Sequence, residues 1–528
     1  MKKKYVRWTL WTIASPFILF IILCILIYLP PIQNFLVDKA AVYASEATGM
    51  NISVGRISLS FPLNLVVTNV DAASPHNDTL LSVRRLQVNV QLLPLLKKQV
   101  EVDGISLQGA TVNSNDLIHG MKLNGTLGEL FISSHGVALD PETAIVNKVL
   151  LKDTDLSLCL NDTAAADTAA SDTTYWKIIL QDIDLQNVSF ALDMPLDSLS
   201  LAASLDNAIL RDGLIDLHKS AYSLQTFRIK NGRVRYDSGK PLAADSLPSG
   251  LDPSHIALTD IGVKLDSLYY GGRNMKAIIS QFVLKERSGV EIVSATGRMV
   301  SNDKVLRVPS LKLETRDSYL ELNAAMDWNA LDFKDEGLVS ARLMADIGKP
   351  DVVRFMGSMD EKFIRQYPSE PLRIRTGIDG DLNKLKLTTL TAELPGALGL
   401  FARGELTHLT DSLLRGGDIT LEAETKDLKF VSTLAEGIEI PYGTRLEGKF
   451  TMAGTKMGTD LLLMQPEAQA VVAADTIPIT VYNDSISVAD DFKMERAARL
   501  FAKYDLSRDR YEACLLYTSP SPRDPKTS

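Results

Sequence analysis

Residues 86–92 read Leu-Gln-Val-Asn-Val-Gln-Leu, and this strict alternation decides the fold class. Successive side chains of a strand point to opposite faces, so Leu86, Val88, Val90 and Leu92 share an apolar face. Gln87, Asn89 and Gln91 then line a wet one. The same period of two returns through Ile419, Leu421 and Ala423, and elsewhere to near Val488. A mostly β chain follows.

Outward from this strand runs a weak repeat. Ile105, Leu107, Gly109 and Val112 match Val149, Leu151, Asp153 and Leu156. They match again in Ile183, Leu185, Asn187 and Phe190, and in Phe227, Ile229, Asn231 and Val234. The second and third apolar residues of each copy lie an odd number of positions apart, which sends them to opposite faces of a regular strand. A bulge at the Gly, Asn or Asp would return them to one face, since these residues tolerate the left-handed conformation that a bulge can require. The pattern therefore predicts a bulged, strongly twisted sheet. Copies start 44, 34 and 44 residues apart, too irregular for a propeller or a β-helix with fixed rungs. An elongated antiparallel meander absorbs such variation in its loops, and a row of β-sandwiches produces the same alternation.

Towards the amino end the period changes. Residues 1–7 form a basic tip with Lys2, Lys3, Lys4 and Arg7, and residues 8–29 are uncharged and long enough to cross a hydrocarbon core of roughly 30 Å as a helix. A cleaved signal peptide has a shorter apolar core of about 7–15 residues, so a retained anchor is expected, with the basic tip cytoplasmic. Residues 30–49 place Ile32, Phe35, Leu36, Ala40, Tyr43, Ala44 and Ala47 at helical spacing, with Gly49 as the stop. The β body is expected over 50–513, with short helices at 349–367, 426–436 and 489–504 and a polar loop of Ala, Asp and Thr over 161–174. From Cys514 to Asp524 the chain reads CLLYTSPSPRD, which resembles a translated sequencing-library adapter; residues 514–528 are expected to be foreign to the native protein.

Composition speaks mainly against chemistry. Cys24, Cys159 and Cys514 provide no disulfide framework or Cys-rich metal site. A net charge of −9, with the only basic cluster at the membrane tip, argues against nucleic-acid binding. His76, His119, His135, His218, His255 and His408 lack metal-ligand spacing and are expected in surface or loop positions. The pairs Asp153/Asp155 and Asp182/Asp184 read as strand polarity rather than cation ligands, because Asp182 and Asp184 alternate with Ile183 and Leu185. Neither G-x-S-x-G, G-x-x-x-x-G-K nor H-E-x-x-H occurs, so neither an enzyme nor a cofactor protein is expected. What the chain offers is an apolar strand face. Such a face shelters hydrocarbon, at about 0.8 kcal/mol per buried methylene.

The order of basic tip, anchor, Pro30-Pro31 and amphipathic helix, then Ala47-Thr48-Gly49 and Asn51-Ile52-Ser53-Val54-Gly55-Arg56-Ile57, resembles the amino terminus of the AsmA-like superfamily. The following Phe61-Pro62-Leu63, Leu65, Val67, Asn69 and Val70, with Asp78-Thr79-Leu80-Leu81, Val83 and the 86–92 strand, is most similar to its TamB branch. The resemblance covers about the first 240 residues and is repeat-level beyond. It implies an inner-membrane anchor in a diderm bacterium, with a taco-like hydrophobic β-groove in the periplasm. It further implies either phospholipid passage toward the outer membrane or a scaffold for outer-membrane β-barrel assembly. The implied partners are the inner membrane, phospholipid and an outer-membrane barrel of the TamA/BamA type. The family's carboxyl-terminal domain has no counterpart in this sequence. Groove positions carried over are Leu86, Val88, Val90, Leu92, Ile105, Leu107, Val149, Leu151, Ile183, Leu185, Phe190, Phe227, Ile229 and Val234.

Overall fold

The computed structural model describes residues 39, 41–42, 45, 49–60, 64–74, 79–90, 102–114, 120–138, 142–161, 175–239, 250–333, 336–356, 360–433, 442–465, 496–505 and 510–517. The segment 8–29 lies outside them. Among the described residues no helix is long and apolar enough to cross a membrane. Lys39, Ala41, Val42 and Ser45 are helical, as the spacing before Gly49 predicts. Gly49 ends that helix at φ +69°, its N–H donating to the Ser45 carbonyl at 2.9 Å, a left-handed stop that glycine adopts without a Cβ penalty.

Two compact units follow, residues 1–243 with 254–271, and residues 244–253 with 272–528. The first holds β1 (Asn51–Ser60), β2 (Asn64–Ala73), β3 (Thr79–Val90), β4 (Val102–Asn113), β5 (Met121–Ala138) and β6 (Thr143–Leu160). It continues with β7 (Lys177–Met194), β8 (Leu199–Asp216), β9 (Ala221–Leu224), β10 (Thr226–Ser238) and β11 (His255–Gly271). Strands pair with their neighbours in chain order, and the short β9 shares its position between β8 and β11 with β10. The pairings join these strands into one sheet rather than the two that a sandwich requires.

One junction departs from the expected antiparallel meander. β6 and β7 run parallel, from Thr143↔Lys177 to Cys159↔Asp193. This explains the uneven repeat. β4, β6, β7 and β10 all run in one direction; a return strand, β5 or β8, lies between the copies that start 44 residues apart, and none lies between those 34 apart. A parallel step must instead carry the chain back along the strand length, which is the task of the residues after Leu160. The expected polar loop over 161–174 falls in this connection, and 162–174 lie outside the described residues.

The repeat's Gly, Asn and Asp positions take the left-handed conformation: Gly109 at φ +63°, Asp153 at +49°, Asn187 at +51° and Asn231 at +55°. Asn69 at +52° and Asp260 at +52° do so on β2 and β11. In most of the sheet they are not bulges. The pairing Thr68↔Arg85 is followed by Val70↔Val83, so both strands pass the site with equal numbers of residues. The same single omission recurs at Gly109 against Arg84 and Gly128, at Asp153 against Gly128 and Asn187, and at Asn187 against Asp206. Each kink thus stands level with one unpaired residue of the adjacent strand, Asp153 and Asn187 being a left-handed pair, and the register survives. Along this line the register shifts only between β10 and β11, beside Asn231; the first unit's other shifts lie near strand ends, at Ala72/Ala73, Asn89/Val90 and Ser133–Val137. Side chains bridge the line: Asn187 Nδ2 donates to Asp153 Oδ1 at 2.9 Å, and Asn231 donates to Asp206. Gly128 is required there, because a Cβ would stand 2.8 Å from the Asp153 Cβ and 2.9 Å from its carbonyl oxygen.

The second unit begins with β12 (Asn274–Glu286), β13 (Glu291–Ser301), β14 (Val305–Thr315), β15 (Tyr319–Asp327), β16 (Leu338–Ile347), β17 (Leu372–Asp381) and β18 (Lys384–Leu394). It ends with β19 (Leu398–Thr407), β20 (Gly416–Thr425), β21 (Arg445–Ala453), β22 (Lys456–Gln465), β23 (Arg496–Asp505) and β24 (Arg510–Tyr517). These form an antiparallel meander. Register-shifting bulges occur here, beside Ser280-Gln281, Pro309-Ser310 and Thr388-Thr389. Pro309 sits where its missing N–H is not needed.

The helix expected over 349–367 is two short ones, α2 (Lys349–Phe355) and α3 (Glu361–Gln366), after a single turn α1 (Trp328–Leu331). The one expected over 426–436 is a 3-10 turn, Lys429–Thr433. The third expectation, 489–504, is wrong from Arg496 onward, where the chain is strand β23. The open edge of β22 offers backbone donors and acceptors that a strand satisfies and a short helix does not. β24 takes in Cys514–Tyr517, the first residues of the adapter-like stretch, by the same edge pairing.

Phe363 and Tyr367 pack on Leu394, Ala397, Leu428 and Phe430, over the ends of β18 and β20. Phe363 and Phe430 meet edge to face at 5.8 Å. Beside them the buried Asp351 carboxylate accepts from Thr315, from Ser318 Oγ at 2.5 Å and from Arg354 at 3.1 Å, which ties α2 to the β14–β15 turn. Phe363→Ala is expected to lower stability of this unit by about 3–5 kcal/mol in denaturant unfolding. Burial pushes the Tyr367 phenol above its ordinary value. Its raised folded value means that its contribution is intact below an unfolded pKa of about 10 and is lost as pH rises through the folded one. Tyr367→Phe should therefore flatten the alkaline fall in stability measured by urea melts between about pH 9 and 11.

Candidate functional site

The strand pairings align the apolar residues of the repeat into continuous rows. One row passes Ile57↔Val67, Val67↔Leu86, Leu86↔Leu107, Leu107↔Leu130 and Leu130↔Leu151. It continues through Leu151↔Leu185, Leu185↔Ala208, Ala208↔Ile229 and Ile229↔Val263. The second row, two residues further along each strand, passes Leu59↔Leu65, Leu65↔Val88, Val88↔Ile105, Ile105↔Ile132 and Ile132↔Val149. It ends through Val149↔Ile183, Ile183↔Leu210, Leu210↔Phe227 and Phe227↔Leu265. Directly paired residues share a face, so both rows lie on one side of the sheet. No polar residue interrupts either row from β1 to β11.

Leu86, Val88, Ile105, Leu107, Val149, Leu151, Ile183, Leu185, Phe227 and Ile229 are therefore brought together, each half-buried. Val90 extends β3 beyond them, paired with Val102, and Leu92 lies outside the described residues. Phe190 and Val234 belong to a separate row across the line of left-handed residues, joined through Ala203, and Phe190 is exposed. Sequence reading missed Leu130, Ile132, Ala208 and Leu210. Their strands run opposite to the repeat, so the motif appears reversed, as Gly128-x-Leu130-x-Ile132 and Asp206-x-Ala208-x-Leu210. Phe131 and Ile209 also fill the intervening positions and erase the alternation.

The other face of the same strands is polar along Arg56, Thr68, Arg85, Gln108, Glu129, Lys152, Gln186 and Asn207, and mixed along the next row, where Val66, Phe131, Leu150 and Ile209 stand among Gln87, Ser106, Asp184 and Arg228. Arg211 pairs with Asp182, while Asn207 Nδ2 and Gln186 Nε2 donate to the Asp184 carboxylate at 3.1 and 3.0 Å. Both aspartates are thus engaged in cross-strand bonding, and Asp153 is engaged with Asn187. Among the described residues no group of three or more His, Cys, Asp or Glu is placed to hold a metal ion. His218 lies in the turn after β8, with its ring edge-on to Tyr175 at 5.2 Å, and His408 lies in the turn after β19. His255, expected at a surface or loop position, is instead buried at the start of β11, where pairing with Asp237 draws the loop end into the ladder.

The second unit repeats the arrangement. A row runs Phe282↔Ala295, Ala295↔Leu313, Leu313↔Leu320, Leu320↔Ala345 and Ala345↔Ile374. It continues Ile374↔Ala392, Ala392↔Leu400, Leu400↔Ala423, Ala423↔Leu446 and Leu446↔Leu463. A cavity of about 550 Å³ is lined by Thr391, Glu393, Phe401, Glu422, Glu424, Arg445 and Glu447, which alternate with Ala392, Leu400, Ala423 and Leu446 along these strands and so belong to the face opposite this row.

No protein-family model matches the chain, and no curated protein matches it.

A face of this kind binds hydrocarbon without a specific polar contact, since its stabilisation scales with apolar area removed from water. Leu151→Asp with Leu185→Asp should weaken binding of an environment-sensitive apolar dye about tenfold, because a carboxylate must be desolvated by the bound dye. Lys152→Asp on the polar face should leave the dye titration unchanged.

Proposed function

We propose that this protein is an inner-membrane-anchored periplasmic bridge that carries phospholipid toward the outer membrane along an apolar β-groove. The observation that carries this reading is the pair of unbroken apolar rows in the first unit, running perpendicular to the strands from β1 to β11. At about 4.8 Å per strand, such a path spans on the order of 40 Å. A lipid chain of roughly sixteen carbons kept from water along it is stabilised by on the order of 10 kcal/mol. The stabilisation is similar at every strand, because each contributes the same kind of side chain. Movement along the rows therefore meets no deep trap. The charged and amide side chains of the opposite face, from Arg85 to Asn207, keep the path's exterior wet, and the basic tip with the uncharged segment 8–29 supplies attachment to the donor membrane. β1, the first strand after the amphipathic segment, begins the path.

The test uses the full chain in its membrane, with a photoreactive amino acid at Phe227. Val88→Glu with Leu107→Glu should reduce lipid adducts at Phe227 at least tenfold while the protein still inserts and folds. Undiminished adducts would overturn the conduit.

A further inference from the structure

The rows would lie on an open surface if the sheet were only twisted. We infer that the line of left-handed residues, Asn69, Gly109, Asp153, Asn187, Asn231 and Asp260, creases the first unit's sheet and holds the apolar rows inside the fold, with these residues as its positioning elements. The functional half of this inference rests on the lipid-path reading; the crease itself rests on geometry alone.

Three observations converge. The six residues lie on one cross-strand line rather than at scattered sites: Asn69 and Gly109 both stand level with Arg84, Gly109 and Asp153 with Gly128, Asp153 with Asn187, and Asn187 and Asn231 with Asp206, while Asp260 lies beside the shifted pairing Gly232↔Ile261. Exposure then changes abruptly at the line. Asn69, Asp153 and Asn187 are exposed, whereas Thr154, one residue beyond, is 2% exposed and Ala208, in the first apolar row just before it, is 4% exposed. Val67, Val83, Ala110 and Ile261 occupy the same flanking positions and are also buried. Buried residues on both flanks of a line whose own residues are exposed are what a crease produces, the flanks crowding inside the bend and the line standing at its outside. Finally, the outside is fastened by side chains, Asn187 to Asp153 and Asn231 to Asp206.

On the longest strands a second line runs parallel to the first. Asn147 Nδ2 donates to Gln181 Oε1 at 2.9 Å, and Asp212 beside them is left-handed at φ +51°. Residues 148–152, 182–186 and 207–211 lie between the two lines, and the two apolar rows run through this strip. The creases bound a floor two apolar side chains wide. Asn, Asp and Gly serve here because they alone enter the left-handed region at low cost, whereas a β-branched residue does not.

Spin labels at Lys148 and Ser157 of β6, in a chain with Cys24, Cys159 and Cys514 replaced by Ser, span the first crease. A straight strand would separate these positions by about 30 Å. The native distance should be shorter. Asp153→Gly with Asn187→Gly keeps the left-handed backbone and should keep that distance, with lipid adducts at Phe227 within twofold of native. Asp153→Val with Asn187→Val should lengthen it toward the straight value and lower the adducts at least fivefold. If the Val pair fails to fold, Asp153→Ala with Asn187→Ala should add a long component to the distance distribution. A native distance in the Val or Ala pair, or a straightened strand in the Gly pair, overturns the crease. A lengthened strand with undiminished adducts overturns its role in holding the path, and adducts absent even from the native chain would sink the lipid reading while leaving the crease standing.

Discussion

Register is the constraint on which everything else depends. A slip of one residue between two strands would turn every apolar side chain of one of them to the opposite face. In a sandwich, a second sheet penalises such a slip by leaving its own face uncovered. Here the strands of each unit join a single sheet, so the backbone ladder must itself keep Leu86 beside Leu107 and Leu151 beside Leu185. Each cross-strand apolar pair adds roughly 0.2–1 kcal/mol to the correct alignment. Repeated across the sheet, that modest preference is enough to specify one register.

The left-handed positions look at first like a threat to this arrangement, since an extra residue in one strand would displace the pairing beyond it. The threat is removed by matching. Where Asp153 kinks, Gly128 on one side and Asn187 on the other omit a pair at the same level, so the register after the kink equals the register before it. Glycine at 128 has a separate reason to be there, the approach of the Asp153 backbone to within 2.9 Å of where a Cβ would lie. The second unit solves curvature differently. Its bulges at Ser280-Gln281, Pro309-Ser310 and Thr388-Thr389 do shift the register, and the apolar row still threads from Phe282 to Leu463 because each shift is answered by the next pairing.

A sheet of this kind separates two tasks that a compact enzyme site would combine. Its polar face satisfies carboxylates such as Asp182 and Asp184 with Arg211, Asn207 and Gln186, which leaves them committed to cross-strand bonding. Its apolar face has no hydrogen bond to offer and needs none. On the lipid-path proposal hydrocarbon would be held there by solvation alone, a non-directional force that favours continuity of surface over placement of any one residue.

Much of this was legible before folding. Alternation at 86–92 announced strands, and the Gly, Asn and Asp of the repeat announced left-handed backbone, because both follow from the local sterics of one chain segment. The stop at Gly49 was readable for the same reason. Three features were not. The helix expected at 489–504 yields to a strand from Arg496, because the edge of β22 outweighs local preference. The reversed motif on β5 and β8 has no meaning until those strands are turned round and laid beside their neighbours. The parallel step from β6 to β7 was written in the short interval between Val149 and Ile183, yet only the pairing gives that interval its sense. Sequence alone determined where the alternating strands form and where the repeat turns left-handed, since those are properties of single residues and their neighbours. Tertiary structure decided which side chains meet, because a row across a sheet is made by residues far apart in the chain and exists only once the register brings them level.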